Sequence, residues 1–182
     1  MKMVKDKKLV VGADFAGYPL KEAVVAHLKA KGWEITDMGV KADSDPDDTD
    51  LMFHRVGLRV GAMISEGEFE RALLFCGTGM GIHIAASKCP HVHAGVVESV
   101  PAALRAITGN GVTVLALGAC YVAPAWVATL QMPTLMQNSA VAMNGGRTST
   151  NSINLQSMSL KNSTMKNIKR MASRLTNLVT SP

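Results

Sequence analysis

Three observations predict that this sequence folds as a three-layer α/β domain, a doubly wound sheet of five parallel strands. Short apolar runs alternate with amphipathic stretches across residues 8–136, and that switch of periodicity marks strands alternating with helices. The connectors are short, so each strand–helix–strand unit is a right-handed crossover that lays successive strands parallel. Apolar residues make up 47% of the chain and aromatics only 4%, which means a core of Val, Ala, Leu, Ile and Met, as strands buried on both faces require.

The elements follow in order. Residues 8–13 (KLVVGA) read as a buried strand and 18–31 as a helix carrying Leu20, Val24, Val25 and Leu28 on one face, with Gly32 at its C-terminal stop. Residues 34–38 form a second strand. Residues 43–50 (DSDPDDTD) are an acidic loop with turn chemistry, a solvated connector rather than a metal site. A helix over 51–65, a strand over 71–76, a helix over 79–88, a strand over 92–98, a helix over 101–108, a strand over 112–117 and a closing helix over 124–136 complete the pattern. Such sheets bind ligands at the carboxyl ends of their strands. That rule selects the turns after Ala13, Phe75 and Leu117.

Charge divides the chain. The net charge of +5 resides in residues 137–182, which hold six Lys/Arg and no acid, leaving 13 basic against 14 acidic residues before them. The chain therefore reads as an α/β domain over 1–136 and a polar, basic extension over 137–182. In the extension Met165, Ile168, Met171, Ala172, Leu175 and Leu178 recur at helical spacing. A basic amphipathic stretch of this kind is expected to pack on protein, so neither a membrane nor a nucleic acid is the expected partner. Three cysteines, Cys76, Cys89 and Cys120, cannot all pair, and residues 1–8 run straight into a strand pattern with no secretory signal. The expected location is a reducing cytoplasm, where a thiol is kept for its chemistry.

The segment 72–88 (ALLFCGTGMGIHIAASK) is the densest in chemistry. A buried strand delivers Cys76 to the carboxyl edge. Gly77, Gly79 and Gly81 then let the backbone turn and approach a ligand without Cβ interference. Amides of the helix start that follows point into the loop, which favours an anionic oxygen, either a phosphate or an enediolate forming in catalysis. A thiol beside a helix N-terminus has its thiolate stabilised, which would make Cys76 a base near neutral pH. Two other readings stand beside this one: a core cysteine, and a dinucleotide site with Glu98 reaching a ribose, although Ile82 stands where the third glycine of GxGxxG belongs. Asp14, at the end of the first strand, tilts the balance, because a carboxylate facing a thiol suits a polyhydroxyl substrate. An N-cap role for Asp14 is equally compatible. Cys89, His91 and His93 make a C-x-H-x-H run with no second ligand cluster, so no metal is assigned. His83, one turn past the glycine loop, either lines the pocket or packs at the surface.

Residues 12–21 (GADFAGYPLK), 76–88 (CGTGMGIHIAASK), 110–118 (NGVTVLALG) and Gly145-Gly146-Arg147 resemble the ribose-5-phosphate isomerase B / galactose-6-phosphate isomerase family over residues 8–147. The resemblance implies a Rossmann-like enzyme without metal or cofactor, a homodimer or tetramer whose neighbouring subunits complete each site. It implies aldose–ketose isomerisation of a sugar phosphate through a cis-enediolate. In this reading Cys76 is the base, with Thr78 assisting near the sugar. The backbone of Gly77, Gly79, Met80 and Gly81 is the anion hole, and Asp14, Phe15, Asn110 and Arg147 lie on the substrate. Five positions depart from the family pattern. Phe15 and Gly109 replace histidines, the second credited with opening the sugar ring; Phe53, with His54 beside it, replaces a tyrosine; and Cys120 and Asn151 replace arginines. A pentose or tetrose phosphate is the expected substrate, and a tetrose too short to cyclise would need no ring-opening group. Lost cationic contacts also suit a shifted phosphate or a less charged substrate. The rival functions are a non-catalytic sugar-phosphate-binding subunit and a nucleotide-binding regulatory domain.

Overall fold

The computed structural model describes residues 7–123. The helix expected over 124–136, Arg147, Asn151 and the basic extension lie outside the described residues. Five strands, β1 (Lys8–Ala13), β2 (Glu34–Asp37), β3 (Ala72–Cys76), β4 (Ala94–Val96) and β5 (Val114–Gly118), alternate with helices α1 (Tyr18–Ala30), α2 (Phe53–Glu66), α3 (Met80–Ala86) and α4 (Val100–Asn110). All pairings are parallel, in the order β2-β1-β3-β5-β4. The predicted five-stranded doubly wound sheet is the observed one.

The order dictates which face each helix covers. From β1 to β2 and from β4 to β5 the chain steps one way, and from β2 to β3 and from β3 to β4 it steps the other. Right-handed crossovers then place α1 and α4 on one face and α2 and α3 on the other. The core divides accordingly. Leu9, Val11, Leu73, Phe75, Leu115 and Leu117 pack with Leu20, Val24 and Leu28 of α1 and Ile107 of α4. Val10, Ala72, Leu74, Cys76, Val114 and Ala116 pack with Val56, Val60 and Ile64 of α2 and Ile82 of α3. Alternation along each strand makes this division.

The α2–α3 face uses small residues, which lets its helices approach closely. A Cβ on Gly57 would lie 2.6 Å from the carbonyl oxygen of Ile82, and one on Gly61 would lie 2.9 Å from that of Ala86. Glycine at these positions permits near-backbone contact between the two helices.

Several boundaries differ from the sequence expectation, for local reasons. Before α2 a separate 3-10 turn, Thr49–Leu51, is capped by Asp48, whose side chain accepts from the Asp50 amide. Strand β4 is shorter than expected because it is an edge strand, and Pro90 and His91 (φ 62°) enter it in a non-extended turn. Helix α4 runs one residue further at its start and two at its end, capped by the Ser99 hydroxyl, which accepts from the Ala102 amide, and closed by Gly111 at φ 64°.

One buried charge organises the carboxyl edge beside β1. Lys21 is fully buried on α1. Its ammonium donates to the Asp37 carboxylate and the Val40 carbonyl, with Glu22 at 3.0 Å. These bonds hold the loop after β2 against β1, where Gly39 packs so closely on Ala13 that a Cβ would meet its backbone. The Val40 amide donates to the Ala13 carbonyl at 2.9 Å. Lys21→Met should lower unfolding free energy by about 2–3 kcal/mol in urea titration at unchanged m-value, less than for a fully buried pair because Asp37 keeps some solvent contact.

Candidate functional site

Strand register brings the first two site residues together. Ala13 of β1 stands opposite Phe75 of β3, so the next pair in the ladder is Asp14 and Cys76. The Asp14 amide donates to the Phe75 carbonyl at 3.3 Å, continuing the pairing by one step. Both residues are buried at the carboxyl edge. Here β1 leads away to one side of the sheet and β3 to the other, the switch point where such folds open a crevice.

Asp14 has two partners. Its carboxylate accepts from the Gly17 amide at 2.8 Å, closing the turn before α1, and it stands beside the Cys76 thiol. The N-cap of α1 is Gly17, so Asp14 braces the turn rather than capping the helix. Burial pushes the Cys76 thiol above its ordinary range, and the hydrogen bond and negative charge of Asp14 push it further. The backbone of Thr78 and Gly79 pulls the other way and favours the thiolate. The expectation of a thiol lowered by the helix start is therefore corrected for the free protein. Asp14 and burial outweigh the amides, and the resting group is the protonated thiol.

The glycine loop is shaped by its contact with β5. Cys76 pairs with Gly118, and the Thr78 backbone folds directly over that glycine. A Cβ at position 118 would stand 2.7 Å from the Thr78 carbonyl carbon and oxygen. Gly79 adopts φ 76°, a left-handed conformation that costs any other residue strain. Of the expected anion hole, the Met80 amide donates to the Thr78 hydroxyl oxygen at 3.2 Å. Gly81 lies under the Phe53 ring, where a Cβ would be 2.7 Å from the ring edge. The loop thus holds Cys76, Gly77, Thr78, Gly79, Met80 and Gly81 beside Asp14 and the half-buried Phe15.

Asn110 is not there. It ends α4, which descends from the carboxyl edge to the amino edge, four residues before β5 begins. Cys76 pairs with the last residue of that strand. The rise of β5 alone separates Asn110 from Cys76 by about 13 Å or more along the strand direction. Within one chain these two residues stand on opposite edges of the sheet.

The alternatives fare as follows. Glu98 follows β4, which β5 separates from β3, so Glu98 does not end the strand beside the glycine loop as the dinucleotide reading requires. The Cys89 thiol is turned onto α2, donating to the Leu58 carbonyl at 3.6 Å, while His91 and His93 are exposed. His83 is half-buried on α3. A cavity of about 360 Å³ beside the loop after β2 is lined by Asp37, Lys41, Asp48 and Arg59. Neither Asp14 nor Cys76 lines it. Sequence reasoning overlooked Lys21, although it lies inside the first motif; a lysine on the apolar face beside Leu20 and Val24 was the available signal. Cys120 is exposed at the site's rim, its amide donating to the Gly77 carbonyl at 2.9 Å.

Known proteins share this arrangement. The sequence pattern of the Ribose/Galactose Isomerase family matches residues 9–132. A 4-deoxy-4-sulfo-D-erythrose isomerase from Clostridium sp. strain MSTE9 is 40% identical over 116 residues, covering 64% of this chain and 70% of the relative. A D-erythrulose-4-phosphate isomerase of Mycolicibacterium smegmatis is 35% identical over 113 residues, covering 61% and 72%. The solved structure of Clostridium thermocellum ribose-5-phosphate isomerase B superposes with a TM-score of 0.65 at 30% identity, covering 77% of this chain and 88% of that one. With its sheet order, its Cys76 loop and more than half of its length matched, the chain belongs to the Ribose/Galactose Isomerase family.

Proposed function

We propose that this protein interconverts an aldose and a ketose of a short, acid-bearing sugar, a four-carbon phosphate or its sulfonate counterpart, with Cys76 as the base. The observation that carries the reading is the strand register that sets Cys76 beside Asp14 at a switch-point crevice, with the glycine loop folded over β5 behind it. Isomerases of four-carbon phosphorylated and sulfonated sugars among its relatives support the reaction and the substrate size.

The chemistry follows from those contacts. Substrate hydroxyls compete with the thiol for the Asp14 carboxylate. Once Asp14 turns to them, the thiol releases its proton to solvent, and the resulting thiolate, favoured by the backbone of Thr78 and Gly79, takes the proton from the carbon beside the carbonyl. The charge moves onto an enediolate oxygen, which loop amides are placed to stabilise. The thiol returns the proton to the neighbouring carbon, and the hydroxyl proton passes between the two oxygens. No metal or cofactor enters these steps.

Substrate length accounts for the missing histidines. A pentose 5-phosphate closes a ring through its free O4, and that ring must be opened before C2 can lose a proton. In a tetrose bearing phosphate on O4, or sulfonate in place of O4, that oxygen is unavailable for closure. An enzyme for such a substrate has no ring to open, which suits Phe15 and Gly109.

The active unit in this reading is a homodimer or a larger even assembly with shared sites. Asn110 reaches a Cys76 loop only from a second copy, because its own loop is on the far edge. Exposed Phe53, Leu58, Met80 and Ile84 on α2 and α3 supply an apolar surface beside the site for that contact. The three cysteines are free thiols, as a reducing cytoplasm keeps them.

Three outcomes are expected. Cys76→Ala should reduce kcat about a hundred- to ten-thousandfold and abolish solvent deuterium exchange at C1 and C2; unchanged turnover would remove the thiol from the mechanism. Asp14→Asn removes both contributions by which that residue raises the thiol pKa. The rising limb of kcat/KM against pH should therefore move to lower pH, even as the maximal rate falls. Cys76→Ala and Asn110→Ala homodimers should each be nearly inactive, while their random reassortment should restore about a quarter of the wild-type rate, since one composite site in each mixed dimer carries neither lesion.

A further inference from the structure

Gly109 does more than omit a ring-opening group. The Arg105 guanidinium, one helical turn earlier on α4, lies over its backbone: a Cβ on Gly109 would stand 3.7 Å from Arg105 Cζ and 3.9 Å from Nε and Nη2. A larger side chain at 109 would compete for that space. Arg105 is exposed, and among the described residues it has no ion pair or hydrogen bond. Lys21 is taken up by Asp37 and Val40, Arg59 by the carbonyls of Met38 and Asp50, and Arg71 by the carbonyl of Val112. Arg105 presents an unpartnered fork of donors beside Gly109, the residue before Asn110 at the amino-edge end of α4.

We propose that Arg105 is a specificity-determining residue: delivered with Asn110 into the Cys76 site of a second copy, it holds the acid group at C4 of the substrate. The inference rests on the shared-site isomerase reading and adds to it the residue that recognises charge. A guanidinium presents paired N–H groups that match two oxygens of a phosphate or a sulfonate, so it accepts either. The cation lies back along the helix, in van der Waals range of the open face of Gly109. The substitution that removed an imidazole thus also admits a new anion contact, and the two changes act together on one class of substrate. A four-carbon chain places its acid group three carbons from C1, close to the reacting atoms, so a cation next to Asn110 reaches both parts of the molecule.

The experiment uses the full-length protein with D-erythrulose 4-phosphate, 4-deoxy-4-sulfo-D-erythrose and uncharged D-erythrulose. Arg105→Gln should raise KM for both acid-bearing substrates about ten- to a hundredfold, the loss expected for a charge-assisted contact, with kcat changed only a fewfold. Arg105→Lys should recover part of that loss, and the kinetics of uncharged D-erythrulose should not move. Mixed dimers of Arg105→Gln with Cys76→Ala then test delivery from the second copy. Their one competent site combines the intact Cys76 of one copy with the intact Arg105 of the other and should show wild-type KM. An unchanged KM in Arg105→Gln would overturn the proposal, as would an equal rise for uncharged D-erythrulose or a raised KM in the mixed dimers. Wild-type protein inert toward all three sugars would instead sink the isomerase reading beneath it.

Discussion

The parallel register of β1 on β3 is the constraint from which the site follows. Ala13 opposite Phe75 makes Asp14 and Cys76 the next pair on the ladder and directs both to the α2–α3 face. A slip of one residue would turn either side chain to the other face and separate them. Register is secured by burial: Val10, Ala72, Leu74 and Val114 must meet α2 and α3, while Leu9, Val11, Leu73 and Phe75 must meet α1 and α4. The Asp14–Cys76 pair is thus positioned by the same alternation that builds the core. Lys21 adds a second lock, pinning the loop after β2 behind the end of β1.

The raised thiol pKa and the role of a base are compatible once the partners of Cys76 are separated by what substrate does to them. Burial and Asp14 favour the thiol, while the Thr78 and Gly79 amides favour the thiolate. The amides are fixed, because Gly118 and the left-handed Gly79 hold the loop against β5. In the proposed mechanism the Asp14 interaction is exchangeable, because a sugar hydroxyl replaces the thiol as donor. A site arranged this way holds its sulfur as the less oxidisable thiol until substrate arrives. It also couples activation of the base to recognition of the hydroxyl whose carbon loses the proton.

Most of the sheet was legible in the sequence because buried parallel strands must be apolar throughout, and 8–13, 71–76 and 112–117 have no other plausible fate. Edge and terminal details were not. Strand β4 is shortened by having one neighbour, and the turn at His91 follows from tertiary contacts rather than local preference. The glycine loop was legible as a motif, but its partners were not. The placement of the Thr78 and Gly79 backbone depends on the fold of the loop over Gly118, 42 residues beyond Cys76 and outside any local pattern. Asn110 was legible only as a residue type beside a strand. Its location on the far edge depends on the direction in which α4 runs, which short-range periodicity does not report. Lys21 and Arg105 were hidden for opposite reasons, one a charge on an apolar helix face and the other an ordinary exposed cation whose environment is set by a glycine four residues on.

In the proposed reading, division of the site between the two edges of the sheet separates the two tasks of the enzyme. Proton transfer is then built at the carboxyl edge from buried groups, Asp14, Cys76 and a loop clamped by close backbone contact, where a change of one side chain disturbs the packing of the α2–α3 face. Recognition of the remainder of the substrate is assigned, in the shared-site reading, to the exposed end of α4 of a second copy, where Gly109 and Arg105 contact little else. Changes there alter which sugar is held without disturbing the core that positions the thiol. The physical reason is burial: a substitution at Cys76 or Asp14 leaves an unmatched buried group, whereas one at position 105 or 109 is answered by water. Chain length and acid group can therefore vary on this scaffold while the proton-transfer step is kept, and a short substrate that forms no ring is the case in which the exposed edge can exchange an imidazole for a cation.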